Sequence, residues 1–338
     1  MSNRLTDIDV AKGICIILVV IGHYIPANPP AWYLTLIDVI YSFHMPLFMY
    51  ASGYIYQATK KNVKYKTFIL NKFNRLIIPY IFVSLFIIGI KLLTEKNMYL
   101  EHPVSFSSFY EILYVPSAGY FLWFVYVLFL VFLIIPIFNT PPKINFLFLL
   151  SLIWLIIPVQ TTDLFCIAQL KSHLFYFVSG CFFSQYQSII RQKMDNISVF
   201  LPVLCFIVLY LLAHVYGYLS NVIILQCVDV CLALTGIWIT LKISRYITMN
   251  TLKLKHIFVQ LALYSYTIYL FHTSFEGFAK SFFIQYPLTG YLNNTASFCI
   301  MVVITVSIGI AGPIVLHQTY IRVKNVVKNK TSRNLAKR

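Results

Sequence analysis

The sequence predicts an all-α fold, a polytopic membrane bundle of about ten transmembrane helices. Of the 338 residues, 59% are hydrophobic and only 11% are charged. An ordinary soluble domain carries about 25% charged residues. The mean hydropathy is +0.78, and apolar stretches long enough to cross a bilayer recur along the chain. These observations exclude a soluble globular protein and a disordered one.

Ten apolar stretches predict the spans. No regular alternation of apolar and polar residues appears, which argues against a transmembrane barrel, and no internal repeat of the transporter kind is visible. A signal peptide is the alternative for the first stretch, but Asp7 and Asp9 nearly cancel the positive charge ahead of it and no clean cleavage site follows. The predicted spans are residues 10–28, 36–56, 74–93, 119–138, 144–159, 170–186, 198–216, 220–241, 256–275 and 296–317.

The net charge of +16 is distributed unevenly along the chain. With ten spans, 22 of the 26 Lys and Arg residues fall on one side of the membrane, and the exceptions are Lys91, Lys96, Lys171 and Lys280. The positive-inside rule then places both termini in the cytoplasm. We expect a multi-pass protein of the inner membrane. We expect contact with membrane lipids and no nucleic-acid partner. The predicted organisation is a transmembrane domain over 1–318 and a basic cytoplasmic tail over 319–338.

Seven cysteines are scattered along the chain, most of them inside predicted helices. Their number is odd and no Cys-x-x-Cys occurs, so we expect neither a disulfide framework nor a metal site. The sequence does not predict an oligomeric state.

Lys12 and His23 lie near opposite ends of the first predicted span. Eleven helical residues cover roughly 16 Å and nearly three turns, so both side chains point to one face. A cation at one mouth and an imidazole deeper in the membrane suit a buried channel between helices. The alternative is that Lys12 is a snorkelling flank residue and His23 an interfacial one.

Other ionisable residues inside predicted spans are functional candidates because burying them in a membrane is unfavourable. His272 and Glu276 share a helix face, and a carboxylate beside an imidazole can fix its tautomer and raise its basicity. His44 precedes Pro46, which can kink a helix, and Ser52-Gly53 allows close helix approach. For His272 and Glu276 the alternative is a structural polar pair, and for His44 it is a satisfied interhelical hydrogen bond. The rest we interpret as structural: Asp38, His173, His214 and Asp229.

The predicted loop between the second and third spans is strongly basic, with six Lys and Arg residues between positions 57 and 75. Its last two cations, Lys72 and Arg75, are three residues apart at the expected start of a helix and project together. Such a surface can hold the phosphates of a nucleotide cofactor. The alternative is topogenic charge that meets anionic lipid.

Five sequence motifs together resemble the acyltransferase family 3 membrane proteins, in a form similar to the fucose 4-O-acetylase-like members, over roughly residues 4–316. Two positions depart from the family pattern. Lys12 stands where arginine is commoner, and the cytoplasmic Arg-x-x-Arg element begins with Lys72, which lacks the planar fork of an arginine. In chain order the motifs are Asp9–Gly13 followed by His23; Phe43–Phe48 through Ser52–Tyr54; Lys72–Arg75 before Ile-Pro; Leu122–Phe124; and Tyr264–His272.

The resemblance implies transfer of an acyl group, usually acetyl, from cytoplasmic acyl-CoA to a hydroxyl on a carbohydrate or another envelope molecule. It implies that Lys12, Lys72 and Arg75 hold the phosphates of acetyl-CoA. Trp123 would pack on the CoA adenine or a sugar ring, unless it is structural core.

For the reaction itself, the hypothesis is that His23 acts as a general base or carries the acyl group. His44 or His272 would orient the acceptor or stabilise the oxyanion, and Glu276 would set the charge of His272. Two rival functions stay open: a transporter or exporter of a carbohydrate or lipid-linked intermediate, and a non-catalytic partner in an envelope assembly.

Overall fold

The computed structural model describes residues 3–26, 29–94, 104–216, 221–285 and 295–335. Every regular element within these ranges is helical and none is a strand, so the predicted all-α fold is confirmed. Positions 27, 28 and 220, at the ends of two predicted spans, and positions 336–338 of the predicted tail lie outside the described residues.

Long helices follow one another with short connections. A π-helix at Phe73–Ile77 and short 3-10 helices at Tyr120–Leu122, Ile135–Phe138 and Leu164–Cys166 adjoin them. The α-helices are α1 (Asn3–His23), α2 (Ala31–Tyr41), α3 (His44–Thr59), α4 (Tyr65–Lys72), α5 (Ile78–Thr94), α6 (Ser108–Glu111), α7 (Trp123–Ile134), α8 (Pro141–Ile156), α9 (Ile167–Gln185), α10 (Gln187–Asn196), α11 (Phe200–Tyr216), α12 (Val222–Asn250), α13 (Leu252–Gln285) and α14 (Thr295–Leu335).

Each of the ten predicted spans coincides with helix in the described residues. Two shorter apolar helices, Pro141–Ile156 and Phe200–His214, coincide with the fifth and seventh predicted spans. The chain is therefore a multi-pass membrane protein. Five helical stretches are long and apolar enough to cross a membrane: Ala31–Thr59, Tyr65–Thr94, Tyr120–Phe138, Val222–Asn250 and Thr295–Val326.

The chain divides into two compact units. The first comprises Met1–Cys15 and Ala31–Ala262, and the second comprises Ile16–Pro30 and Leu263–Arg338. Helices α1 and α13 each contribute residues to both units.

The first unit is centred on the crossing of α3 and α9. A methyl group at Gly53 would overlap the carbonyl of Phe177, and one at Gly180 would overlap the carbonyl of Tyr50. Only glycine therefore permits the two backbones to approach this closely. The prediction that the small Ser52-Gly53 pair allows close helix approach is confirmed, and Gly180 is its partner on the opposite helix.

The predicted span 36–56 is interrupted in the structure. A turn at residues 42 and 43 separates α2 from α3, and Pro46 explains its position. Proline has no N–H for the carbonyl of residue 42 and its ring excludes that carbonyl sterically, so the helical ladder cannot continue through this turn. The first bond of the new helix runs from the Leu47 amide to the Phe43 carbonyl over 2.8 Å.

The loop predicted after the second span is partly helical, which corrects the expectation that a helix begins near Lys72. Helix α4 begins at Tyr65 and passes through the π-helix Phe73–Ile77 into α5. Lys72 ends α4 and Arg75 lies inside the π-helix. The sequence signal was misleading because charged residues in the first half of this helix resemble a loop. Its hydrophobic residues contact the rest of the first unit, as Phe68 does Phe132 at 5.9 Å between ring centroids.

The second unit contains the end of α1, most of α13 and all of α14. Pro313 lies inside α14, and the helix passes the expected domain boundary after residue 318 without interruption to Leu335. The division into a 1–318 transmembrane domain and a 319–338 cytoplasmic tail stays a prediction.

Candidate active site

Two imidazole rings meet in the second unit. The centroids of His23 and His272 lie 5.1 Å apart, with the ring planes tilted by 55°. His23 is the last residue of α1 and is partly buried, while His272 on α13 has no exposed surface. The sequence places both residues at a similar depth but cannot show contact, and the structure brings them together.

The hydrogen bonds of His272 define its tautomer. Its Nδ1 donates to the carbonyl oxygens of Tyr269 at 2.8 Å and Ile268 at 3.1 Å. A carbonyl oxygen only accepts, so Nδ1 carries the proton, and in a neutral imidazole Nε2 then has the lone pair. His272 can therefore present a proton-accepting nitrogen while its own helix backbone holds the ring in place.

Glu276 lies one helical turn beyond His272 and is 4% exposed. It packs against the backbone of α14 at a glycine: a methyl group on Gly309 would lie 3.0 Å from Glu276 Oε1 and 3.1 Å from Val20 Cγ1. Gly309 thus makes room for a buried carboxyl group in the interior of this unit.

Two residues that the sequence reasoning missed complete this polar cluster. Tyr24 is 3% exposed and lies beside Thr305, within electrostatic range of Glu276. Thr305 is fully buried and lies one turn before Gly309 on α14, so both share a helix face. The position of Tyr24 next to His23 and the spacing of Thr305 from Gly309 were the available signals.

A cationic cluster of three residues lies in the first unit: Lys12, Lys72 and Arg75. Arg75 is close enough to both lysines for their charges to interact. Aromatic rings hold the lysines, with Lys72 Nζ 3.7 Å from the Phe132 centroid and Lys12 Nζ 5.9 Å from that of Phe48. Arg75 itself is exposed. The Asp9 carboxylate also interacts with the charge of Lys12, and the excess of positive charge that remains favours an anion.

The backbone around this cluster is unusual, because Arg75 lies on the π-helix Phe73–Ile77. Insertions of this kind are rare and occur frequently at functional sites.

His44 connects the two halves of the broken second span. Its ring is 4% exposed, and Nδ1 donates to the carbonyl of Ile40 over 2.9 Å, across the turn between α2 and α3. Tyr41 stacks on the ring at 5.1 Å. This hydrogen bond agrees with the alternative for His44, a satisfied interhelical bond. A catalytic role for His44 stays a prediction.

Trp123 lies at the start of α7 and is 9% exposed, with the ring of His173 at 4.6 Å. Its indole thus packs against another side chain of the first unit, and a role in cofactor binding stays a prediction. Asp38 and His214, which the sequence showed only as isolated residues, approach to 3.7 Å at a solvent-accessible position. Within the described residues no group of three His, Cys, Asp or Glu side chains is placed to hold a metal.

Apolar helices of membrane-spanning length, with ionisable side chains buried among them, define the class of multi-pass membrane proteins. A family model described as an acyltransferase domain matches residues 5–312. The chain therefore belongs to acyltransferase family 3, as the motifs predict.

Two curated relatives match shorter segments. The Nodulation protein NolL of Sinorhizobium fredii is 36% identical over 86 residues, which cover 24% of this chain and 24% of that protein. The Nodulation protein NolL of Mesorhizobium japonicum is 27% identical over 151 residues, 41% of this chain and 38% of that protein. The matches thus span well under half the length of either relative. No solved structure matches the chain significantly.

Proposed function

We propose that the protein transfers an acetyl group from acetyl-CoA to a hydroxyl of a cell-envelope carbohydrate. The single observation that carries the proposal is the contact between His23 and His272, at 5.1 Å between ring centroids. Membership of acyltransferase family 3 supplies the class of reaction. Burying two imidazoles inside a membrane protein is unfavourable, so the pair is a candidate for function. Imidazole is well suited to transferring protons near neutral pH.

His23 serves as the general base in this proposal. It removes the proton of the acceptor hydroxyl as the oxygen attacks the thioester carbonyl, and that proton passes to the departing thiolate, so the products are an ester and free CoA. His272 orients the acceptor, because its Nε2 lone pair can accept a hydrogen bond from the acceptor hydroxyl, and Glu276 influences the charge of His272. A covalent acyl-His23 intermediate is the alternative course of the same transfer.

The donor is held by the cationic cluster of Lys12, Lys72 and Arg75. Arginine and lysine bind phosphate groups through charge-assisted hydrogen bonds, and acyl-CoA carries several phosphates. On the predicted orientation this cluster faces the cytoplasm, where acyl-CoA is made, and the protein resides in the inner membrane with both termini cytoplasmic.

The test of the overall reaction compares envelope glycans from cells with and without the gene. Mass spectrometry of these glycans is expected to show acetyl esters that vanish on deletion and return with the wild-type copy. Identical ester content in the two strains, on every envelope glycan, would contradict the proposed reaction.

A carbohydrate exporter is the competing function, and ligand binding separates the two. We expect acetyl-CoA, but not acetate, to raise the thermal unfolding midpoint of the purified protein, because a ligand that binds only the folded state stabilises it. An exporter has no use for a CoA site and predicts no shift with either compound.

A further inference from the structure

A cleft in the first unit contains none of the residues to which the proposed reaction assigns a role. It is enclosed by α1, α3, α10 and α12 and by the end of α9, and holds about 570 Å³ of empty space, part of it open to solvent. Its lining includes none of Lys12, Lys72, Arg75, His23 or His272.

The polar lining of the cleft is predominantly cationic. Arg191, Lys242 and Arg245 face one carboxylate, Asp7, so the described lining carries a net charge of two positive units. Arg191 pairs with Asp7, and the Lys242 ammonium donates to the carbonyl of Ile197. These contacts hold the two side chains in defined positions before any ligand arrives.

Aromatic, uncharged side chains also line the cleft. Tyr50, Tyr54 and Phe183 contribute rings, with Tyr50 and Phe183 edge to face at 5.6 Å between centroids. The Tyr54 hydroxyl donates to Gln187 Oε1 over 2.8 Å, which ties α3 to α10 across the cleft. The lining therefore offers cations to an anionic group and aromatic rings to an apolar chain or a flat ring.

We propose that this cleft binds the phosphate group of an amphiphilic ligand, at a site separate from the cationic cluster of Lys12, Lys72 and Arg75. Arginine's planar fork binds phosphate through two parallel charge-assisted hydrogen bonds. The lining has an excess of two positive charges, and a bound phosphate dianion neutralises it. Two sources carry this chemistry, the nucleotide portion of a CoA and the headgroup of an anionic phospholipid.

The experiment uses the full-length protein in nanodiscs of neutral phosphatidylcholine and measures the thermal unfolding midpoint. CoA is added in one arm, and in the other phosphatidylglycerol is included in the disc. The variants are Arg245→Gln and Lys242→Gln. Lys193→Gln is the matched control, because Lys193 is an exposed cation on α10 outside the lining, and its loss changes the net charge equally.

We expect one ligand to stabilise the wild type and the Lys193→Gln control. In Arg245→Gln and Lys242→Gln its apparent affinity is expected to fall about tenfold, the effect of losing one charge-assisted hydrogen bond. The ligand whose effect is lost identifies the source of the phosphate. Arg245→Lys keeps the charge without the fork and is expected to give an intermediate loss.

The proposal is overturned if both cleft variants respond to CoA and to phosphatidylglycerol within about twofold of the control. If Arg245→Gln does not fold, Arg245→Lys and Lys242→Gln decide the matter by the same criterion. The inference does not rest on acyl transfer, since binding alone is measured, and its failure would leave the proposed reaction untouched.

Discussion

The chemistry proposed for His272 depends on one nitrogen of its ring. Nδ1 is occupied by the carbonyl oxygens of Ile268 and Tyr269, so any proton transfer must use Nε2. Asparagine places an amide N–H where Nδ1 lies and has no atom at the position of Nε2. The His272→Asn variant therefore separates the structural bond from the chemical function.

We expect His272→Asn to fold with a thermal midpoint close to that of the wild type and to lose acetyl transfer about 100-fold, the scale of loss that a misplaced reactant causes. His214→Asn is the control, because His214 lies in the first unit at a solvent-accessible position. Transfer by His272→Asn at the wild-type rate would restrict His272 to a structural role.

At the scale of single residues the sequence predicted His23, His272 and Glu276 because ionisable side chains stand out in apolar helices. It missed Tyr24 and Thr305, since tyrosine and threonine are ordinary residues in a membrane protein. Their grouping with Glu276 arises from packing in the second unit, and the position of Tyr24 next to His23 and the spacing of Thr305 from Gly309 do not reveal that packing.

The helix crossing in the first unit gives a prediction at the scale of the elements. Gly53→Ala forces a methyl group into the carbonyl of Phe177, whereas a methyl group at Gly89 on α5 meets no described atom within 4 Å. Overpacking typically destabilises a protein by about 1–3 kcal/mol and sometimes by more. We expect Gly53→Ala to lower the thermal midpoint clearly and Gly89→Ala to leave it unchanged or raised.

Fluorescence-detected size exclusion after heating measures both glycine variants. Equal midpoints for the two alanine variants would mean that α3 and α9 tolerate a wider separation. In that case the close approach would not stabilise the first unit.

The π-helix Phe73–Ile77 gives a second prediction at this scale. It joins α4 to α5 and carries Arg75, while Lys72 directly before it contacts the Phe132 ring. We expect Lys72→Gln to weaken acetyl-CoA binding about tenfold through loss of one phosphate contact. Lys66→Gln removes an exposed cation of α4 and is expected to leave binding unchanged, as calorimetry can check. Equal weakening of acetyl-CoA binding in both variants would mean that Lys72 acts only as part of the general positive surface charge.

Local sequence rules failed where backbone geometry depended on context. Pro46 predicted a kink, whereas the structure has a turn between α2 and α3. A proline marks where a helix is weakened but does not determine how far its two halves separate. The insertion at Phe73–Ile77 has no sequence signal, since one extra residue in a turn changes no hydrophobic period that a short window can detect.

For the whole molecule, composition predicted the membrane class and the all-α fold, because so few charged residues cannot solvate the surface of a soluble protein of this length. Charge distribution predicts more, namely that both termini lie in the cytoplasm. A green fluorescent protein fused to the C-terminus is expected to fluoresce, and an alkaline phosphatase fused there is expected to be inactive. The opposite pair of results would invert the orientation and place the cationic cluster outside.

The central claim is that His23 removes the proton of the acceptor hydroxyl. The most direct measurement is transfer of radiolabelled acetyl from acetyl-CoA into envelope glycans by membranes that contain either the wild type or His23→Ala at equal amounts of folded protein. We predict that His23→Ala folds, still binds acetyl-CoA, and transfers acetyl at least about 100-fold more slowly. Undiminished transfer by folded His23→Ala would remove His23 from the mechanism.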